Sequence, residues 1–109
     1  MPADRFTIHD LEATLVDRAQ ASAETSYTRK LLDKGIGHCA KKLGEEAVET
    51  ALAAVSEDRD RVISEASDLL YHLLVVLRAR DIAFQEVEDA LSRRVGTSGL
   101  AEKAARPRS

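Results

Sequence analysis

Lys41-Lys42-Leu43-Gly44-Glu45-Glu46-Ala47-Val48-Glu49 and, downstream, Glu65-Ala66-Ser67-Asp68 decide how this chain is read. In both pieces acids recur three or four residues apart inside apolar sequence, which is the repeat of an α-helix and not of a strand. At about 100° per residue, Glu46 and Glu49 share one side of a helix with Glu45 at its margin; Glu65 and Asp68 lie one turn apart on another. Asp68 is followed by Leu69, Leu70, Leu73, Leu74, Val75, Val76 and Leu77, so its helix is apolar almost all round. Acids in that setting face an interior or an interface. A lone Glu-Glu-x-x-Glu also describes an ordinary solvated helix face paired with Lys and Arg. The leucine-rich surroundings of the second piece argue against that.

Fifteen residues separate Glu49 from Glu65, and the polar turn Ser56-Glu57-Asp58-Arg59-Asp60 falls among them. The pattern predicts a helix over residues 38–55 and another over 59–80, the second capped by Ser56 or Asp58 and roughly 33 Å long. Two long helices joined so tightly are antiparallel neighbours. Glu49 lies seven residues before the turn begins and Glu65 five after it ends, so the acidic pieces meet at similar height. Acids gathered in a low-dielectric place repel one another and lose hydration; they take up protons or are neutralised by a cation. An all-oxygen set suits a hard ion, Mg2+ or Mn2+, better than zinc, and such an ion commonly also holds substrate phosphates. The pieces thus predict a metal site for phosphate chemistry.

Working outward, the only prolines are Pro2 and Pro107, so ring geometry forbids helix nowhere between them. Apolar residues fall at spacings of three and four, and strand-like alternation is absent. A first helix is predicted from Thr7 as N-cap, with Asp10 in the capping-box position, to about residue 23. Ser26-Tyr27-Thr28 breaks the pattern. A short helix over 28–34 then ends on Gly35, and Gly35-Ile36-Gly37 reads as a hinge-like connector. The helix over 38–55 is expected to set its apolar side (Ala40, Leu43, Ala47, Val48, Ala51, Leu52, Ala54, Val55) opposite or beside Lys42, Glu46 and Glu49. Asp81-Ile82-Ala83 is a turn before an amphipathic helix over 84–94. A Gly96–Gly99 loop and a tail over 101–109 that frays unless docked follow.

A helix apolar on nearly every side is not covered by one hairpin. Leu70, Leu73, Leu74 and Leu77 are expected to serve the chain's own core, whereas Ile63, Tyr71 and Val75 call for a partner. The expected architecture is therefore an all-α antiparallel bundle completed by a homodimer.

Length and composition bound the rest. With 109 residues the chain is read as a single domain over 1–109, and 44% hydrophobic residues with two Phe, two Tyr and no Trp give an aliphatic, helix-packed interior. A net charge of -3 provides no basic field for nucleic acid. One cysteine excludes an internal disulfide framework and fits a reducing compartment. No membrane-length apolar run or secretory leader pattern occurs, so a cytoplasmic location is expected.

His72, four residues after Asp68 and seven after Glu65, points to the acidic side and reads as a substrate contact or as a hydrogen-bonded core residue. Lys42 shares the side of the acids and suits a phosphate; i,i+4 pairing with Glu46 is the plainer alternative. Cys39, roughly 10 Å from Glu46 along the helix, is outside any shared metal shell and reads as structural filler. His9 and His38 have no companion at ligand spacing and read as surface residues. Ferritin-like di-iron bundles require Glu-x-x-His pairs, and those are absent here.

Four segments in order, Ser26-Tyr27-Thr28, Lys42-Leu43-Gly44-Glu45-Glu46-Ala47, Glu65-Ala66-Ser67-Asp68-Leu69-Leu70-Tyr71-His72-Leu73-Leu74 and Gly96-Thr97-Ser98-Gly99-Leu100-Ala101-Glu102-Lys103-Ala104, resemble the phosphoribosyl-ATP pyrophosphatase family, within the all-α MazG-like nucleotide pyrophosphohydrolases. The resemblance spans residues 8–106. It implies hydrolysis of phosphoribosyl-ATP to phosphoribosyl-AMP and pyrophosphate, the second step of histidine biosynthesis, with Mg2+ and a dimeric helix bundle. It also implies Glu46, Glu49, Glu65 and Asp68 as metal ligands, and Glu45 as a ligand or water-orienting residue. Lys42 and the segment over 96–103, with Ser98 and Lys103, become substrate contacts. Glu45 or Glu46 is then the proton acceptor. A house-cleaning nucleoside triphosphate pyrophosphatase shares the same metal chemistry. A non-enzymatic helical interaction module explains the amphipathic helices but not acids inside a leucine-rich one.

Overall fold

A computed structural model describes residues 5–96 and places five helices in them, with no strand among the described residues. They are α1 (Ile8–Ala19), α2 (Tyr27–Asp33), α3 (Ile36–Ser56), α4 (Arg59–Ala79) and α5 (Phe84–Val95). The expected all-α class and antiparallel hairpin are present, and α3 against α4 is the most extensive contact between described elements. The segment containing the Thr97–Gly99 loop, Ser98, Lys103 and the tail lies outside the described residues.

Local chemistry sets the ends of these helices. Thr7 and Asp10 form the expected capping box, the Thr7 N–H donating to Asp10 Oδ2 at 2.9 Å and the Asp10 N–H to Thr7 Oγ1 at 3.3 Å. α1 stops at Ala19, short of the expected residue 23, because the start of α2 takes its last carbonyls. The Ser26 hydroxyl donates to the Arg18 carbonyl at 2.8 Å, and Arg29 Nη1 to the Ala19 carbonyl at 2.8 Å. Ser26 Oγ also accepts from the Arg29 N–H at 3.1 Å, capping α2. Gly35, at φ 92, makes the bend between α2 and α3 that a side chain would strain. Helix resumes at once, so Ile36 and Gly37 belong to α3 and the connector is Gly35 alone. Asp58 caps α4, its Oδ1 accepting from the Arg61 N–H at 2.9 Å.

The core gathers Leu15, Leu31, Cys39, Leu74 and Val75, with Leu11, Tyr71 and Phe84 among the side chains packed on it. Three expected assignments are reversed. Val75 is 0% exposed in the chain's own core, and Tyr71 is half-buried with its hydroxyl 2.6 Å from Thr28 Oγ1, whereas Leu70 is exposed. A helix apolar all round does not announce which face α1 and α2 will cover; the chain covers the Val75 side. His9 is exposed and pairs with Glu88 at 2.9 Å, while His38 is half-buried rather than fully at the surface.

α3 is turned inside out relative to its hydropathy. Cys39, Lys42, Leu43, Glu46, Thr50 and Ala53 form the buried and half-buried stripe, while Val48, Leu52 and Val55 are exposed. Thr50 locks this orientation, its hydroxyl lying 2.7 Å from the Glu46 carbonyl and 3.1 Å from the Glu65 carbonyl across the hairpin. The expected opposition is present, with Val48, Leu52 and Val55 away from Glu46; the acids' side is the one set against α4, and of the larger aliphatic residues expected on the apolar side Leu43 alone lies in the half-buried stripe.

Candidate active site

The seam that Thr50 fastens is where the carboxylates meet. Glu46 and Glu49, one turn apart on α3, and Glu65 on α4 each offer an oxygen, and these atoms all lie within 4.8 Å of one another. Glu65 is 6% exposed; Arg61 Nη2 holds its Oε2 at 2.8 Å, and its other oxygen, Oε1, is buried with no hydrogen-bond partner among the described residues. An orphaned carboxylate oxygen beside two further acids costs free energy unless something positive completes it. Burial first, then the charges of Glu49, Asp68 and Glu65, push the Glu46 pKa above the ordinary carboxylate value; Lys42 opposes them.

Asp68 is exposed and outside the group of three, yet close enough that its charge acts on Glu46. Glu45 turns to Lys42, whose Nζ lies 3.2 Å from its Oε1, so the pairing is i,i+3 with Glu45 and not i,i+4 with Glu46. That hydrogen bond and charge hold the Lys42 pKa above its usual value, with smaller contributions from Tyr27 and Glu46. His72 is 6% exposed and its Nδ1 has no partner. Burial, then the Lys42 charge, lowers its pKa against the opposing effect of Asp68 and Glu45, so the ring is neutral at neutral pH. Cys39 is buried, its Sγ 3.3 Å from the Leu31 carbonyl, as expected of filler.

The donor set is all oxygen, one oxygen is buried and unmatched, and the acids come from two rigid helices. That fits a hard divalent cation and not a soft one. The sequence reading passed over Arg61 and Thr50, although both carry a signal: Arg61 stands four residues before Glu65 and Thr50 four after Glu46. It also left Tyr27 unassigned.

A tight helical hairpin that presents converging carboxylates beside a lysine is the arrangement of an all-α nucleotide pyrophosphohydrolase. Comparison with known proteins narrows the class. The family model described as phosphoribosyl-ATP pyrophosphohydrolase matches residues 8–95. A phosphoribosyl-ATP pyrophosphatase of Nitrobacter hamburgensis is 60% identical over 104 residues, 95% of this chain and 97% of its own length. Phosphoribosyl-ATP pyrophosphatase 1 of Bradyrhizobium diazoefficiens is 64% identical over 102 residues, 94% of this chain and 96% of its own. That of Azorhizobium caulinodans is 60% identical over 109 residues, the full length of both chains. The chain belongs to the phosphoribosyl-ATP pyrophosphohydrolase family and is a hydrolase acting on a pyrophosphate bond. Enzymes of this kind are generally metal-dependent, in keeping with the acidic cluster.

Proposed function

We propose that this chain hydrolyses phosphoribosyl-ATP to phosphoribosyl-AMP and pyrophosphate in histidine biosynthesis, with Mg2+ held by Glu46, Glu49 and Glu65 and completed by Asp68. The observation that carries the reading is the convergence of three carboxylates on the seam, one with a buried oxygen that no described residue satisfies. The relatives' shared name supports the substrate. When bound, the divalent ion supplies neutralisation of phosphate charge and polarises the phosphoryl group under attack.

The side chains divide the remaining work. Lys42 stays protonated and offers positive charge to the phosphates at the edge of the acidic group. Glu45 or Glu46, adjacent at the head of the acidic group, is the base that takes the proton of the attacking water. The water oxygen bonds to phosphorus, the bridge between the α- and β-phosphates opens, and pyrophosphate leaves with the bridging electrons. Arg61 keeps Glu65 oriented through its 2.8 Å contact. His72 is neutral and available as a hydrogen-bonding contact, and Ser98 and Lys103 complete the proposed substrate set. The exposed aliphatic residues Val48, Leu52, Val55 and Ile63 support a homodimer that covers them. A biosynthetic role supports a cytoplasmic location.

The test is turnover of phosphoribosyl-ATP with Mg2+ and with chelator, beside a panel of ordinary nucleoside triphosphates. Release of pyrophosphate from phosphoribosyl-ATP that chelation abolishes is expected. Preference for the common triphosphates points to a house-cleaning role and defeats the substrate assignment.

A further inference from the structure

The chain has only two tyrosines, and they stand together at the lysine end of the carboxylate seam. Tyr27 and Tyr71 stack with ring centroids 6.3 Å apart and planes 19° apart, and Tyr27 meets His72 edge-on at 6.4 Å and 87°. Tyr71 in turn sits edge-on to His72 at 5.1 Å. The three rings do not share the same fate. Tyr71 and His72 are drawn into the protein, and Tyr71 is fixed through its hydroxyl at 2.6 Å from the buried Thr28. Tyr27 keeps 54% of its surface exposed although both its neighbours in sequence, Ser26 and Thr28, are buried and hydrogen-bonded. A side chain anchored on both flanks with a large open aromatic surface is a preformed platform, and ordering it for a ligand costs little.

Its position says what the platform is for. On α3 the order from the N-terminal side is Lys42, Glu46, Glu49; on the antiparallel α4 it is Glu65, Asp68, His72, which brings His72 to the Lys42 end. Tyr27 lies against His72, and Lys42 at the same end of the hairpin holds its Nζ 3.2 Å from Glu45 Oε1, so the aromatic group stands at the lysine end and the lysine borders the acids. A nucleotide whose phosphates occupy the acidic end points its nucleoside along this line, away from the charged groups and towards the rings.

We infer that the open face of Tyr27 is the stacking platform for the purine base of the substrate, backed by Tyr71 and by the edge of His72. This rests on the nucleotide-hydrolase reading above and adds the group that binds the base to those that bind the phosphates. Stacking tolerates any purine, so the platform supplies affinity and leaves base identity to polar contacts.

With no tryptophan, tyrosine fluorescence reports Tyr27 and Tyr71 alone, which gives a readout independent of turnover. The experiment titrates wild type, Tyr27→Ala and Tyr27→Phe with Mg2+ and α,β-methylene-ATP, and separately with Mg2+ and inorganic tripolyphosphate. Calorimetric Kd values are measured beside the fluorescence. Expected are quenching in the wild type and a Kd for the nucleotide on the order of 5- to 150-fold weaker in Tyr27→Ala, the range that loss of one base stack brings. Tyr27→Phe should hold the nucleotide within about twofold of wild type, since the ring face persists, and tripolyphosphate should bind all three proteins alike. Nucleotide binding unchanged in Tyr27→Ala overturns the inference, and so does an equal loss for tripolyphosphate, which marks a phosphate or folding role. Wild type that binds the analogue through Tyr27 yet leaves phosphoribosyl-ATP intact defeats the substrate assignment and leaves the platform standing.

Discussion

Replacing Glu46 by Gln removes one charge from the seam and keeps side-chain length and helix propensity nearly constant. In the native chain the oxygens of Glu46, Glu49 and Glu65 lie within 4.8 Å of one another. Two unit charges at that separation repel by about 1 kcal/mol in bulk water and by roughly 3.5 kcal/mol at an effective dielectric near 20. Glu49 is exposed and Glu46 half-buried, so screening favours the lower figure. A gain of about 1 kcal/mol raises the melting temperature of a domain of this size by ~4 °C. Metal-free Glu46→Gln is therefore expected to melt about 4 °C above the parent at neutral pH, with chelator present and protein concentration held fixed.

The pH dependence follows from the same residue. Burial and neighbouring acids hold the Glu46 pKa above its ordinary value, so the folded chain binds more protons than the unfolded one between those two values. Stability of the parent then falls as pH rises through that window, and its deficit against Glu46→Gln shrinks on acidification. Mg2+ inverts the order, since ion at about 100 times its Kd adds roughly 2.7 kcal/mol to a protein that binds it, and the variant has lost a ligand. Melts followed by far-UV circular dichroism, with chelator and with Mg2+ across the acidic to neutral range, measure all three effects. A variant that melts at or below the parent in chelator, or gains as much from Mg2+, would refute the reasoning.

Three further outcomes are expected. Glu49→Gln and Asp68→Asn should each abolish turnover while helical ellipticity stays near that of the parent; surviving activity would remove them from the ion's coordination. The proposed homodimer should sediment as a dimer in the parent and as a monomer in Leu52→Glu, which places a charge on the exposed face of α3; a monomeric parent, or a variant that stays dimeric, would remove this face from an interface. Tyr71→Phe leaves the buried Thr28 hydroxyl without its 2.6 Å partner and should cost about 1–2 kcal/mol in chemical denaturation; a variant as stable as the parent would mean that hydrogen bond contributes little.

The acid spacing and the short turn made the hairpin legible, because geometry leaves two long helices joined through Glu57 and Asp58 no arrangement but side by side. The Thr7–Asp10 capping box and the helix break at Gly35 were legible for the same local reason. The setting of the α3 acids toward α4 was legible with the hairpin, since both acidic pieces had to meet. What stayed hidden is that Thr50, Ala53 and Cys39 share that side and that Val48, Leu52 and Val55 are left exposed, because the periodicity of one helix does not say what covers its stripe. Val75 and Leu70 were exchanged because a helix apolar on all sides carries no marker of which face α1 and α2 reach. Arg61 stayed hidden because it resembles any surface arginine until Glu65 is known to be buried.

The rotation of α3 bears on how the gene can drift. An inserted or deleted residue between Lys42 and Val55 turns the part of that helix before it by about 100° against the part after it. Lysine, acids and outer aliphatics then lose their common alignment at one stroke. Length polymorphism should therefore collect in the segments before α2 and beyond α4, leaving the span from Gly35 to Asp58 at constant length.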